Sequence, residues 1–478
     1  MAFVSDDDNA LLNQVRELQP EENGRYSWSD LGNGYLMADI FQKKFRFCPE
    51  RNQWFFYDGK RWAVDVGAVH VMEAAKDLGE TLISYGDEIK NAEVSKAFKK
   101  YYECWRSRRK RETLIREAQS VYPVSYSDFD RKPLLFNCQN GTLDLEYRNL
   151  QPHDPDDLLT QIAGTDYDPN ARYKRWNVFM EEITCHDKQL EVFLQKAMGY
   201  ALSGYTDQEC FFVLFGASSR NGKGTLMESM IKMMGDYGKT AVPQTIAQPS
   251  ESRSGGPSED VARLAGARLV NISEPDKKMI LNSSLIKRMT GRDTIAARYL
   301  NENTFEYIPQ YTIFINTNHL PTVSDNTVFT SGRCRVIPFQ RHFSSEEQDR
   351  DLKKKFAEKL PAILNYCLEG YWLLQEMGFQ VPESVMNATD NYQEDNSKTV
   401  QFVNEMLEPA ENADVRTSEV YSAYKNWCQI NGYQPGSIGT FKSEMKTLVP
   451  VMENKRPRGG GAPTTLIEGY HLKIQNIA

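Results

Sequence analysis

Short apolar runs alternate with stretches of helical periodicity through the central part of the chain. The helical periodicity is clearest from Trp176 to Tyr205. Strands that alternate with helices form a largely parallel sheet covered by those helices. The pattern therefore predicts an α/β domain, and its candidate buried strands are residues 211–215, 267–272, 311–316 and 335–339.

The region before this domain has a different pattern. Residues 54–62 predict a hairpin that turns at Asp58-Gly59, and a helical region follows over residues 69–117. Residues 134–145 predict two strands around the turn Asn140-Gly141. We therefore expect an α+β domain at the N-terminal side of the α/β domain.

The last region contains three short helical patterns and then a Gly-rich tip at residues 454–461. A strand on each side of such a tip, after three helices, predicts a winged helix. Two polar segments, residues 245–260 and 387–397, predict a mobile loop and a linker respectively. The expected fold class is multidomain α/β, with an α+β domain over residues 1–165, a central domain over 166–385 and a winged-helix domain over 386–478.

Composition narrows the class of protein. The chain has 478 residues, 40 % of them hydrophobic, which suits a globular protein of several domains. It has no apolar run long enough for a bilayer span and no secretory signal. The eight cysteines contain no Cys-x-x-Cys pair and the six histidines are scattered. We therefore expect a cytoplasmic protein with reduced thiols, no zinc site and no membrane association.

The first predicted strand runs into Gly216-Ala-Ser-Ser-Arg-Asn-Gly222-Lys223-Gly224-Thr225, and a helical stretch follows. Small residues let backbone N–H groups wrap a phosphate chain, the helix N-terminus adds positive potential, and the lysine reaches the terminal phosphates. This layout predicts a P-loop for ATP; a Gly-rich turn without a nucleotide is the alternative. The predicted nucleotide-binding residues are Gly216, Ser218, Ser219, Arg220, Asn221, Gly222, Lys223, Gly224 and Thr225.

Two features depart from the standard P-loop pattern. Five residues separate Gly216 from Gly222, where the pattern has about four. Gly224, which follows the lysine, has no hydroxyl for Mg²⁺, so Thr225 or a water molecule must supply that oxygen. We predict Mg²⁺ as the second cofactor, with Thr225 and Glu274 at the metal.

Two more of the predicted strands end in polar residues that nucleotide hydrolysis needs. The second strand leads to Glu274, the predicted general base for the attacking water, with Asp276 as a weaker candidate for a metal or structural role. The third strand leads to Asn318, whose amide would orient that water against the terminal phosphate. An Asn turn before Pro321 is the alternative for Asn318.

Two arginines precede or begin the fourth predicted strand. Guanidinium groups stabilise the charge of a transferring phosphate and are commonly supplied by a neighbouring subunit. We predict Arg333 as a catalytic residue and Arg335 as the second choice; a surface salt bridge is the alternative. The predicted catalytic set is Lys223, Glu274, Asn318 and Arg333.

These motifs occur in an order that resembles superfamily 3 helicases, and more narrowly the phage, plasmid and poxvirus-type primase-helicases. The resemblance covers residues 25–345. In the central region it is carried by Asn221-Gly-Lys223, Ser273-Glu-Pro275, residues 290–298, Thr317-Asn-His-Leu-Pro321 and residues 333–339. In the first region it is carried by residues 29–34, 57–62, 136–145, 153–155 and 167–169, which are similar to the domain that precedes the ATPase in that family.

The resemblance implies an AAA+-like ATPase ring, usually of six subunits, that translocates 3′→5′ on single-stranded DNA. ATP would lie between subunits, with Arg333 reaching the nucleotide of its neighbour. A hairpin near residues 298–306 would project into the ring channel. Family members carry a basic residue at the tip, whereas this chain has Asn301-Glu-Asn303, so Arg292, Arg298 or Lys287 would contact DNA.

Other basic residues are candidates for DNA contact outside the channel. The stretch 96–116 interleaves cations with aromatic rings, which favours either nucleic-acid binding or a solvated helix face. In the last region a recognition helix would carry Lys442 and Lys446, and the wing would carry Lys455, Arg456 and Arg458. The same shape serves protein docking.

The leading hypothesis is an ATP-dependent replicative DNA helicase of a phage, plasmid or related mobile element. Its expected partners are single-stranded and forked DNA, double-stranded origin DNA, other copies of itself, and a separate primase or initiator, because the short first region does not predict a priming domain. The alternative is an ATP-regulated origin-binding initiator with little processive unwinding. A small-molecule kinase is a third class, which the arginine acting between subunits disfavours.

Overall fold

The structure is a computed structural model. It describes residues 6–248, 259–276, 279–300, 302–323, 325–431, 433–458 and 460–473, without the side chains of residues 6–8 and 412. Most of the loop predicted at 245–260, and residue 301 at the predicted hairpin tip, lie outside the described residues. Within these ranges, no helix has both the length and the apolar character that a membrane crossing requires.

The N-terminal region packs helices against a three-stranded antiparallel sheet. Tyr57 pairs with Trp62, which confirms the predicted hairpin. Gly59 in its turn has a φ of 98°, a left-handed value that glycine adopts without the steric cost of a Cβ. The elements are α1 (Asp6–Leu18), α2 (Asp30–Ile40), β1 (Phe45–Cys48), β2 (Gln53–Tyr57), β3 (Trp62–Val64), α3 (Val69–Tyr85), α4 (Ala92–Tyr102) and α5 (Arg108–Ala118).

The basic stretch 96–116 lies on α4, α5 and the turn between them. Its aromatic rings belong to the core: Tyr102 and Trp105 are buried, and Tyr101 stacks on Trp28 with 5.8 Å between ring centroids. The rings are therefore not available to stack on bases, and the solvated helix face is the better interpretation. Four of its cations pair with carboxylates of the same region, as Lys99–Asp87, Arg106–Glu80, Arg108–Glu112 and Lys110–Asp30.

A second antiparallel sheet consists of β4 (Leu135–Cys138), β5 (Gly141–Asp144) and β6 (Asn149–Gln151). The predicted turn at Asn140-Gly141 joins its first two strands. Phe136 and Leu143 enter the hydrophobic core of the central region, and the Phe136 ring stacks on Tyr237 at 4.9 Å. The sheet thus packs on the central region although it precedes residue 165; the domain boundary itself stays a prediction.

Arg268 fixes this contact from inside the protein. Its side chain is 1 % exposed. Nη1 donates to the carbonyl of Leu202 at 2.6 Å, and Nη2 donates to the carbonyl of Leu135 at 2.7 Å. Burial lowers the pKa of Arg268 from its ordinary value. Because a buried carbonyl without a donor costs free energy, the guanidinium holds β4 and the start of the central sheet in one geometry.

The central region is a five-stranded parallel sheet with the order β15-β7-β13-β9-β8. All four predicted strands are confirmed. Residues of the four predicted strands alternate between two separate hydrophobic cores, which explains why these strands appear in the sequence as largely apolar runs. The sheet and its helices are α6 (Lys174–Ile183), α7 (Lys188–Tyr200), β7 (Phe211–Phe215), α8 (Lys223–Met234), β8 (Gly238–Ala241), α9 (Glu259–Ala262), β9 (Leu269–Ser273), α10 (Ser283–Met289), β13 (Thr312–Thr317), α11 (Thr327–Thr330) and β15 (Cys334–Pro338).

Two short pairs of strands lie between these elements. β11 (Ile295–Ala297) and β12 (Phe305–Tyr307) form an antiparallel hairpin, which confirms the hairpin predicted near residues 298–306. β10 (Ile280–Leu281) and β14 (Thr322–Val323) pair in parallel.

Three helices follow the sheet, namely α12 (Leu352–Ala357), α13 (Leu360–Met377) and α14 (Glu383–Asn396). The linker predicted at 387–397 is wrong, because nearly all of it belongs to α14. Tyr392 on this helix is buried, and Thr389 Oγ1 accepts a hydrogen bond from the backbone N–H of Val336 in β15 at 3.0 Å. The polar composition of the segment reflects the exposed face of a helix that packs on the sheet edge.

The C-terminal region has its own hydrophobic core. β16, which the sequence did not predict, joins the two strands that flank the Gly-rich tip in a sheet with the order β16-β18-β17. The predicted helices are confirmed, but the first is separated from the other two by β16. The elements are α15 (Lys398–Met406), β16 (Leu407–Arg416), α16 (Thr417–Ile430), α17 (Ile438–Leu448), β17 (Val451–Lys455) and β18 (Thr464–Leu472).

Replacing Arg268 by methionine should destabilise the protein by about 2–4 kcal/mol, because two buried carbonyls lose their donors. The lost stability is measured as a lower midpoint in urea or thermal unfolding. Arg350→Met is the matched control: Arg350 is exposed and makes no ion pair with the described residues, so its change should be within about 0.5 kcal/mol. Equal midpoints for the two variants would contradict the role given to Arg268.

Candidate active site

Three of the four predicted catalytic residues converge at the carboxyl edge of the central sheet. Gly216, Glu274 and Asn318 follow directly on β7, β9 and β13. β13 lies between the other two strands and pairs in parallel with both. Since parallel strands end at the same edge, the loops that leave them meet there, in the crevice where ligands of open α/β sheets bind.

The loop from Gly216 to Gly222 is closely packed at both ends. A Cβ on Gly216 would lie 2.3 Å from Asn221 Nδ2 and 2.6 Å from the carbonyl of Phe339, and one on Gly222 would lie 2.4 Å from Ile183 Cγ2. Gly222 has a φ of 90° and directly precedes α8. Only glycine fits either position, so the loop is held as a tight turn into the helix N-terminus.

The middle of the loop accommodates the extra residue noted in the sequence. Ser218, Ser219 and Arg220 are exposed, and Arg220 has a left-handed φ of 60°. Asn221 Nδ2 donates to the carbonyl of Ser218 at 2.7 Å. The carbonyl of Arg220 accepts from the N–H of Phe343 at 2.9 Å, so the segment after β15 supports the loop from outside, a contact that the sequence did not reveal.

Lys223 lies at the centre of the convergence. The side chain is buried, and Nζ donates to Asn318 Oδ1 at 2.8 Å and to the carbonyl of Gly216 at 3.2 Å. Burial lowers the pKa of Lys223 to about 8, while the charge of Glu274 acts to raise it. Lys223 makes no ion pair with any described carboxylate. The site therefore contains a buried positive charge that favours the binding of an anion.

Glu274 leaves the end of β9 in a strained conformation. Its φ is 54°, and its N–H donates to the carbonyl of Asn316 at 2.8 Å. Non-glycine residues adopt this conformation at a cost of about 1 kcal/mol or more, and they concentrate at functional sites. The carboxylate is exposed, so it is accessible to water or a ligand at the sheet edge.

Thr225 lies on the first turn of α8, beside the loop. Asp276 is exposed beyond β9. Among the described residues no group of three or more His, Cys, Asp or Glu side chains could hold a metal ion. A metal held by a few protein oxygens and by phosphate, as Mg²⁺ usually is, fits Thr225 and Glu274 better than a closed protein cage does.

Arg333 lies at the opposite edge of the sheet. Its carbonyl accepts a hydrogen bond from the N–H of Phe211, the first residue of β7, at 2.8 Å. The length of that five-residue strand, about 16 Å, separates it from Gly216. Arg333 Nη1 donates to Thr290 Oγ1 at 3.0 Å and Nη2 pairs with the carboxylate of Glu209. Arg333 is therefore not part of the site that Lys223 forms in the same chain.

Arg335, the second choice, is not near that site either. It lies within β15, and its guanidinium stacks on the Phe379 ring at 4.5 Å from the centroid. This contact packs the sheet against the segment between α13 and α14.

The hairpin β11–β12 is docked on the N-terminal region. Arg51 Nε pairs with Glu302 at 2.8 Å, and its guanidinium lies 4.7 Å from the ring centroid of Tyr299 and 5.2 Å from that of Tyr126. Of the predicted DNA contacts here, Arg298 is half-buried just after β11 and Arg292 is exposed just before it. Lys287, the third, is paired with Asp325 on the central region at 2.6 Å.

The basic residues of the C-terminal region are partly neutralised. Lys442 and Lys446 lie on α17, and the other three lie on β17 or the tip that follows it. Lys442 and Arg456 make no ion pair with described residues. The other three cations form exposed ion pairs, Lys446–Glu453, Lys455–Glu468 and Arg458–Glu468. Exposed ion pairs contribute only about 0–1 kcal/mol each, so a phosphate can replace these carboxylates.

The chain matches three protein families in consecutive segments. Residues 34–185 match a family described as D5 N terminal like. Residues 214–333, which contain the candidate site, match a family of unknown function. Residues 394–473 match a family described as Poxvirus D5 protein-like.

Viral proteins are similar to most of the chain at low identity. A protein of Acanthamoeba polyphaga mimivirus, provisionally named as a helicase, is 27 % identical over 65 % of this chain and 34 % of its own length. A protein of Frog virus 3 with the same provisional name is 28 % identical over 56 % of this chain and 29 % of its own length. A protein of African swine fever virus, provisionally named as a primase, is 20 % identical over 88 % of this chain and 46 % of its own length. The chain thus spans between a quarter and a half of the length of these relatives.

Among solved structures, the apo C-terminal region of NrS-1 is similar in fold, with a TM-score of 0.50 at 11 % identity, over 91 % of this chain and 98 % of that one. The fold is that of a multidomain α/β protein, and viral relatives that are provisionally named as helicases support an enzyme of the helicase or NTPase kind only at that general level. The two D5-type matches and the viral relatives fit the primase-helicase family of superfamily 3, which the sequence motifs resemble.

The depressed pKa of Lys223 predicts a pH dependence of stability. The unfolded chain holds this proton up to a pKa of about 10.4, whereas the folded chain releases it near 8. The unfolded state therefore binds more protons between these values, so the folded state gains stability as pH rises through them. We expect the wild type to gain about 1–2 kcal/mol over Lys223→Met between about pH 7.5 and pH 10.

The measurement is the unfolding midpoint of both proteins across this pH range. Lys223→Arg is the control, because a guanidinium stays charged throughout and should gain nothing over Lys223→Met. Parallel curves for the wild type and Lys223→Met would show that Lys223 titrates as an ordinary surface lysine.

Proposed function

We propose that the protein is an ATP-dependent replicative DNA helicase. The observation that carries the proposal is the meeting of buried Lys223, Asn318 and Glu274 at the carboxyl edge of the parallel sheet, with Arg333 at the opposite edge. The strand order β15-β7-β13-β9-β8 places the candidate P-loop strand beside the strand of Asn318, the arrangement expected of an AAA+-like ATPase.

The loop from Gly216 to Thr225 would bind the phosphates of ATP. Its glycines leave room for the chain to approach the phosphates, and α8 points its N-terminus at them. Lys223 would bind the terminal phosphates, because its side chain is buried and makes no ion pair with a described carboxylate. Mg²⁺, held by Thr225 and Glu274 directly or through water, would neutralise phosphate charge when bound.

Glu274 and Asn318 would act on the attacking water. An exposed carboxylate in a fixed, strained backbone conformation suits a general base that takes a proton from water. Asn318 already accepts a hydrogen bond from Lys223, so its amide orientation is tied to the group that binds the phosphate. That coupling gives the protein a means of sensing whether the terminal phosphate is present.

Arg333 would complete the site of a neighbouring subunit. It cannot reach the loop of its own chain, and Glu209 and Thr290 hold its guanidinium in a fixed direction. An arginine supplied in trans stabilises charge in phosphoryl transfer. This supports a ring, for which the family resemblance implies six subunits and 3′→5′ movement on single-stranded DNA.

DNA contacts are proposed at two places. The hairpin β11–β12 with Arg292 and Arg298 would face the translocating strand. The C-terminal region, taken as a winged helix, would place Lys442 and Lys446 against duplex DNA and use Lys455, Arg456 and Arg458 as a basic wing. Such a module supports origin recognition. The source in a phage or plasmid and the location in a bacterial cytoplasm stay predictions, as does a separate priming partner.

The test is strand displacement on a forked duplex. The wild type should unwind it only with ATP and Mg²⁺, because hydrolysis drives the movement. Lys223→Ala should keep its fold, as judged by its circular dichroism, and lose at least about 100-fold in hydrolysis, since it lacks the cation at the transferring phosphate. Origin-specific binding without unwinding would favour the alternative, an ATP-regulated initiator; full hydrolysis by Lys223→Ala would remove the site assignment.

Mixing of two inactive variants tests Arg333. Rings of Arg333→Ala alone or Lys223→Ala alone should both be inactive. Mixed rings should recover part of the hydrolysis rate, because some interfaces then pair an intact loop with an intact arginine. The rate is measured across mixing ratios, and light scattering checks that mixed rings assemble. Assembled rings without recovery at any ratio would show that Arg333 does not act between subunits.

A further inference from the structure

A second cavity lies at the amino edge of the central sheet, away from Lys223. Its volume is about 1020 Å³, and its walls come from both the N-terminal and the central regions. Tyr205 and Pro309 lie just before β7 and β13, and Lys239 lies at the start of β8. Because these strands are parallel, the cavity and the predicted P-loop lie at opposite edges of the sheet. The base of the hairpin β11–β12 forms one wall, through Tyr299 and Glu306.

The lining of this cavity carries far more positive than negative charge. Its acids are Asp130 and Glu306, and the carboxylate of Asp130 accepts hydrogen bonds from the backbone N–H and the hydroxyl of Thr160. Three of its cations have carboxylate partners, as Arg51–Glu302, Arg61–Asp236 and Arg131–Asp128. The remaining three, Lys239, Arg263 and Arg292, make no ion pair with any described residue.

Lys239 shows that these cations act on one another. Its side chain is half-buried. Burial lowers its pKa from the ordinary value, and the charges of Arg61 and Arg263 lower it further. Lys239 and Arg263 have no carboxylate partner among the described residues, so their mutual repulsion destabilises the folded protein. An anion that enters the cavity would relieve this repulsion, which gives the cavity a preference for a ligand with several negative charges.

Aromatic side chains line the same cavity as the unpaired cations. Tyr205 is 41 % exposed, and no side-chain hydrogen bond of its hydroxyl is formed within the described residues. Tyr126, Phe129 and Tyr307 line the same cavity. Grooves that combine unpaired cations with accessible aromatic rings bind single-stranded nucleic acid, because cations take the phosphates and rings stack on the bases.

We propose that this cavity binds a short segment of single-stranded DNA, with Lys239 and Arg263 on consecutive phosphates and Tyr205 stacked on a base. The position beside the hairpin connects it to the path of the translocating strand, so the inference rests on the proposed helicase function. It adds a binding site in which the N-terminal region forms part of the wall. The hairpin docked on Arg51 then separates this site from the rest of the channel.

The test is binding of a fluorescent oligothymidylate, followed by anisotropy at several salt concentrations with a non-hydrolysable ATP analogue present. The double variant Lys239→Gln/Arg263→Gln should bind at least about tenfold more weakly. The slope of log affinity against log salt should fall by about 1.4, since each lost phosphate contact on a single strand contributes about 0.7. Tyr205→Ala should weaken binding roughly tenfold and leave the slope unchanged, because stacking releases no counterions.

The matched control is Arg350→Gln/Lys354→Gln, which removes the same two charges from exposed positions away from the cavity. It should keep wild-type affinity and slope. An equal loss of affinity in both double variants would overturn the site, because it would show that the overall charge of the protein determines binding. Unchanged binding by Lys239→Gln/Arg263→Gln would also overturn it. Inorganic tripolyphosphate tests whether the cavity binds a free polyphosphate instead of DNA. The cavity is not a DNA site if tripolyphosphate binds the wild type but not Lys239→Gln/Arg263→Gln, and if it does not displace oligothymidylate from the wild type.

A crosslinking experiment on the wild type tests the site even if the variants do not fold. An oligothymidylate that contains 4-thiothymidine is irradiated on the wild type, and the crosslinked peptide is identified by mass spectrometry. A crosslink to the segment of Tyr205 supports the proposal, and crosslinks only elsewhere overturn it while leaving the helicase function in place. Failure of the wild type to bind any single strand would remove both.

Discussion

The parallel register of β7, β13 and β9 is the constraint on which the rest of the structure depends. It places Gly216, Asn318 and Glu274 at one edge of the sheet, and this placement does not require contacts among their side chains. The same register places Arg333 at the other edge, beside Phe211. A change in the register of one of these strands would move Lys223, Asn318 and Glu274 apart. The buried apolar faces of the strands fix the register, and they therefore also fix the site.

Both edges of the sheet hold cations at a cost to stability, and both costs have the same explanation. Lys223 is buried against uncharged acceptors, and Lys239 is half-buried beside two arginines. A protein selected only for stability would place a carboxylate within ion-pair distance of each of them. The absence of such partners among the described residues is reasonable where a phosphate supplies the negative charge. This reconciles a net charge of −8 with nucleic-acid binding, because local surfaces matter more than the total.

Sequence patterns predicted four of the five central strands, both hairpins of the N-terminal side and the residues of the candidate site, because buried strands and Gly-rich turns leave local signals. β8, which is short and has only one buried residue, was missed. The linker predicted at 387–397 failed since composition does not show that Thr389 and Tyr392 share the buried face of a helix. β16 was missed because Leu407–Arg416 contains three acidic residues and a proline and lacks regular alternation. Contacts between distant segments left no signal: Arg51 and Glu302 are separated by 251 residues.

That long-range pair changes how the N-terminal region should be understood. A hairpin that contacts a translocating strand must keep its position while the nucleotide state changes, and two short strands of three residues each are too short to hold it alone. The Arg51 guanidinium contacts the Tyr126 and Tyr299 rings and pairs with Glu302, so the N-terminal region supplies part of the support that the hairpin needs. The same region also forms part of the wall of the basic cavity, together with the base of the hairpin. In the proposed helicase, the N-terminal region would thus be a structural part of the DNA path rather than an appendage to the ATPase.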